Sequence, residues 1–72
     1  MMSYLEQMLA ELGDDSFLKI RYDWVNGKGN VYSGFVYCAG PMEILSGPQD
    51  ASLEEVMRMM EDLAVEWLSE QP

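Results

Sequence analysis

Apolar residues recur along this chain in two different periods, and the changes between them mark its elements. Leu5, Met8, Leu9 and Leu12 stand three and four apart, the spacing of one helix face, and Ser3 with Glu6 occupies the positions of a capping box. The spacing predicts a helix over residues 3–12, stopped by Gly13 in left-handed backbone, with Asp14-Asp15-Ser16 as a turn. The period then drops to two. Leu18, Ile20, Tyr22 and Trp24 alternate with Lys19, Arg21 and Asp23, which predicts a strand with one apolar and one charged face. Asn26-Gly27-Lys28-Gly29-Asn30 reads as a hairpin loop. Residues 31–39, rich in Val, Tyr and Phe, read as a second strand that Gly34 weakens or bulges, and Gly40-Pro41 ends it. Residues 42–45 suggest a short third strand at a sheet edge, followed by a loop over residues 46–50.

Ser52 with Glu55 forms a second capping box and opens a helix that runs to about Ser69. At 100° per residue, Leu53, Val56, Met57, Met60, Leu63, Ala64, Trp67 and Leu68 fall in an arc about 140° wide, a stripe that faces a core. Glu54, Glu55, Glu61, Asp62, Glu66 and Glu70 lie outside it. Arg58, the lone cation among them, stands four residues after Glu54 and three before Glu61, where it screens them locally. Met59 and Val65 also fall outside the stripe, as a small apolar contact surface among acids. The expected fold is α+β: a single α-β-β-β-α domain over residues 1–72, an antiparallel three-stranded sheet with two helices packed on one face.

Composition narrows the chemistry. In 72 residues there is no histidine, and a single cysteine, Cys38, so the commonest general base and metal ligand is missing and no intramolecular disulfide can form. Cys38, between Tyr37 and Ala39 with no cation beside it, reads as a small buried apolar residue, and the lack of disulfide staples suits a cytoplasmic setting. The first residues carry no basic segment, and no apolar run approaches the roughly 18 residues of a membrane span. Neither export by a signal peptide nor membrane insertion is expected. The loop over residues 26–30 lacks the spacing and the following helix of a phosphate loop. Asp15-Ser16-Phe17 resembles the Asp-Ser-Leu of acyl carrier proteins over three residues, but it precedes a strand pattern where carriers have a helix. No catalytic residue, cofactor or metal is expected, and the chain reads as non-enzymatic.

Charge gives the strongest lead. Thirteen Asp and Glu stand against four Lys and Arg, a net −9 that repels phosphate backbones and anionic membranes alike, so direct contact with either is not expected. The excess is segregated. Residues 1–15 carry Glu6, Glu11, Asp14 and Asp15, residues 16–48 sum to +1, and residues 49–72 carry seven acids and Arg58. The six acids from Glu54 to Glu70 span about 24 Å of helix, one per roughly 4 Å, close to the 3.4 Å between charges of one DNA strand. Such a surface suits the basic groove of a nucleic-acid-binding host protein or complex. Tyr22, Trp24, Tyr32, Phe35 and Tyr37 make the hairpin rich in aromatic residues, and those in surplus of the core offer a binding patch or a homodimer interface.

In size, acidity and mixed pattern over its whole length, the chain resembles small phage-encoded inhibitors that mimic DNA, including several anti-CRISPR proteins and the uracil-DNA glycosylase inhibitor. The resemblance implies action in the bacterial cytoplasm on a nuclease or surveillance complex. Its contact residues would be Glu54, Glu55, Glu61, Asp62, Glu66 and Glu70 with Glu6, Glu11, Asp14 and Asp15. The alternative is a small acidic chaperone or assembly partner, similar to type III secretion chaperones, that works through the aromatic strands or through Met59 and Val65.

Overall fold

The computed structural model describes residues 3–39 and 41–71, and these follow the expected α+β order. Helix α1 spans Ser3–Leu12, strands β1, β2 and β3 span Phe17–Val25, Gly29–Cys38 and Met42–Asp50, and helix α2 spans Leu53–Ser69. The strands form one antiparallel sheet in the order β1-β2-β3.

The helices cover the face of β2 that carries Gly34 and Val36, while the other face of β2 buries Val31 and Ser33. Val36 is buried with Leu5 and Met8 of α1 and Val56, Met60 and Ala64 of α2, and Leu18, Tyr32, Ile44 and Leu45 pack around this cluster. Gly34, two residues before Val36, marks where α2 crosses the sheet. A Cβ there would lie 2.8 Å from Met60 Cγ and 3.3 Å from Val56 Cγ1, so the missing side chain is what lets the helix come down onto the strand. The opposite face carries the charged residues of β1 and a row of rings, with Phe17 stacked on Tyr37 at 5.2 Å and Phe35 6.3 Å from Tyr37.

β1 and β2 pair without interruption from Phe17 opposite Tyr37 to Val25 opposite Gly29, closed by a turn in which Lys28 N–H donates to Val25 O at 3.0 Å. Gly27 takes φ +89° there, and Gly29 and Asn30 belong to the strand rather than to a five-residue loop. The second strand stops at Cys38, because Ala39 turns into left-handed backbone at φ 53°. The larger correction is β3. It continues through residues 46–50, read from the sequence as a loop, with Ser46 opposite Phe35 and Asp50 opposite Tyr32. Two register shifts, between Ser33 and Phe35 and between Val36 and Tyr37, place an extra β3 residue in each interval. As an edge strand beside one partner, β3 accommodates Pro48 next to a bulge, which a central strand would not.

The α2 start departs from its expected capping box. Ser52 caps α2 by accepting from Glu55 N–H at 3.2 Å, but Glu55 does not reach back; Ser52 N–H donates instead to Asp50 at 3.1 Å. The Ser3 side chain, and with it the first capping box, lies outside the described residues. The first turn of α1 is capped from across the fold: Tyr4 and Leu5 N–H donate to the two oxygens of Glu61 at 3.0 and 3.3 Å. On α2, Leu53 is 42% exposed rather than in the core, whereas Met59 packs against the core instead of standing in solvent.

Candidate functional site

The ten acids singled out by charge separate into two groups. Glu61 is half-buried and spent on the α1 N-terminus, where a carboxylate both satisfies free N–H groups and meets the positive end of the helix. Glu55 and Asp62 flank Arg58 one turn away on either side. Arg58 holds Glu55 through both Nε and Nη2 and reaches Asp62 through Nη1 at 3.0 Å, so it screens these two and not Glu54 and Glu61. The guanidinium hydrogen bond and charge hold the Glu55 carboxyl below its ordinary value.

The remaining seven, Glu6, Glu11, Asp14, Asp15, Glu54, Glu66 and Glu70, are exposed. None forms a hydrogen bond or an ion pair through its carboxylate with another described residue. They are distributed over α1, the loop after it and α2, so the open negative charge belongs to the helical layer. On α2 and its C-cap Glu70 the six acids and Arg58 leave a net −5 over about 24 Å, one charge per roughly 5 Å, sparser than the count of acids alone suggested. A charge spacing close to that of DNA therefore needs the α1 acids as well. Comparison with protein families, characterised proteins and solved structures finds no match to this chain.

A second exposed surface lies on β1. Leu18 packs on the core, but Ile20, Tyr22 and Trp24, on the same side of the sheet as the helices, are 38%, 59% and 67% exposed. The helices pack on each other, and α2 lies over β2 and β3, which leaves this side of β1 open. Tyr22 rests against Tyr32 at 4.6 Å. Val65 is also open on α2.

The other motifs are used by the fold. The single Ser16 hydroxyl proton is shared between the Leu9 and Gly13 carbonyls, 2.9 and 2.7 Å from Oγ, and tethers the end of α1 to the start of β1. Cys38 is half-buried, its Sγ 3.8 Å from the Leu12 carbonyl. Among the described residues no helix is long and apolar enough to cross a membrane, and no group of three Cys, Asp or Glu side chains converges as metal ligands.

The sequence pointed to the acids as a group, but not to the three that the fold employs. Glu61 meets α1 across 56 residues of chain, and no local pattern signals a cap delivered from that distance.

Proposed function

We propose that the chain is a non-enzymatic, acidic protein-binding inhibitor of the DNA-mimic type, as several anti-CRISPR proteins are, that occupies the basic DNA-binding groove of a bacterial nuclease or surveillance complex. The observation that carries this reading is the set of seven exposed carboxylates on the helical layer that have no partner among the described residues. Carboxylates that a protein does not neutralise itself keep their full attraction for an external array of Lys and Arg, and contacts of that kind depend steeply on salt. Glu54, Glu66 and Glu70 on α2 and Glu6, Glu11, Asp14 and Asp15 beside it are the contact residues; Glu55, Glu61 and Asp62 shape and hold the surface.

The test is affinity capture from a bacterial lysate with the wild-type chain and with a Glu54→Lys/Glu66→Lys/Glu70→Lys variant. The expected result is a nucleic-acid-binding protein retained by the wild type at low salt, released by duplex DNA and lost with the variant. Capture that persists at high salt, or that includes no nucleic-acid-binding protein, counts against the proposal. The openness of Tyr22 and Trp24 favours a second reading, an assembly partner or chaperone acting through β1. In that case Trp24→Ser, and not the lysine substitutions, abolishes capture.

A further inference from the structure

The two edges of the sheet differ in a way that points to a second copy of this chain. β3 carries two bulges and Pro48, features that discourage further strand pairing, whereas β1 pairs with β2 over nine residues without a register shift and contains no proline or glycine. Its free edge is therefore straight enough to template another strand, and its helix-side face exposes Ile20, Tyr22 and Trp24.

The order of residues in β1 is complementary to its own reverse. When the strand is laid antiparallel on itself about Arg21, Phe17 faces Val25, Leu18 faces Trp24 and Ile20 faces Tyr22 of the second copy, so each of these apolar residues meets another. Lys19 faces the second copy's Asp23, and the two-fold axis makes that opposite-charge pair twice. The two Arg21 side chains meet at the axis, each beside its own Asp23 at 3.1 Å. Residues opposed in this register share a face, so both helical layers fall on the same side of one six-stranded sheet.

We propose that the chain forms a two-fold symmetric dimer through antiparallel pairing of β1 with the β1 of a second copy, in the register centred on Arg21. The register sets Ile20 against Tyr22 and Trp24 against Leu18 and leaves the seven open acids of each copy outside the interface. The apolar area covered is on the order of 300 Å² per copy, given the 150–250 Å² such aromatic side chains bury. With the strand backbone this is a small interface, so association is concentration-dependent in the micromolar range. This dimer does not depend on what the acids contact.

Sedimentation equilibrium tests the association and its register together. The wild-type mass rises from that of the 8.2 kDa chain toward twice that value with concentration. Lys19→Glu or Asp23→Lys alone weakens association at least about tenfold by opposing like charges, and the double substitution restores it. Far-UV circular dichroism verifies that each variant is folded. As an independent check that leaves Lys19 and Asp23 in place, Arg21→Cys in a Cys38→Ser background gives a disulfide-linked dimer on oxidation, because directly opposed strand positions lie within disulfide reach. A wild type that keeps the monomer mass up to about 1 mM overturns the proposal. So does a folded double variant that associates no better than the single ones, or an Arg21→Cys variant that fails to cross-link.

Discussion

Gly34 shows how one residue sets the distance between the layers. The sequence marked it as a weak or bulged point in a strand; its actual use, to seat Met60 and Val56 against β2, depends on a helix that begins 19 residues later. Met60 is fully buried and cannot swing into solvent to make room. Gly34→Ala therefore destabilises the fold by about 1–3 kcal/mol in denaturant unfolding. In a Met60→Ala background the same substitution costs less, with a coupling of about 1 kcal/mol. At Arg58 the pattern revealed a cation among acids but not its partners, because residues three and four away compete in both directions along a helix. Arg58→Ala is expected to return the Glu55 carboxyl upward toward its ordinary value, read by NMR titration. Since the folded-state value is the lower one, the pair stabilises above the ordinary carboxyl range. That contribution fades as pH falls through the folded value, so the variant loses a small part of the acid dependence.

At the level of elements, α1, β1 and α2 were legible because each keeps one hydrophobic period from end to end, and β2 because of its Val, Tyr and Phe content. The second half of β3 was not, since Gly47-Pro48 carries the signal of a loop and only the vacant edge of the sheet lets those residues pair. The start of α1 at Ser3 was read, but its tertiary support from Glu61 was not, since no local pattern shows it. Glu61→Ala frees the Tyr4 and Leu5 N–H groups and is expected to destabilise the protein by about 1 kcal/mol, the usual worth of a cap. Hydrogen exchange should then quicken through α1 while the buried turns around Val56 and Met60 keep their protection. Equal quickening in both helices would show that Glu61 supports the whole core and not the α1 terminus.

For the molecule as a whole, the segregation of charge onto the helices and of aromatic residues onto the hairpin was legible from position alone, while the division of the acids into working and open ones was not. Burial and partners make that division. Of the ten candidate acids Glu61 ties α2 to α1, Glu55 and Asp62 are paired with Arg58 within α2, and seven are exposed with no partner among the described residues. DNA mimicry requires those seven to act as substitutes for phosphates, and the direct measurement is the affinity of the chain for its captured partner as a function of salt, with duplex DNA as competitor. Replacement of a polyanion predicts that the association constant falls by at least about tenfold between roughly 50 and 200 mM salt. It also predicts mutual exclusion with DNA and a shallower slope for the Glu54→Lys/Glu66→Lys/Glu70→Lys variant. An affinity that is flat across that range, with DNA and the chain bound together, would contradict it.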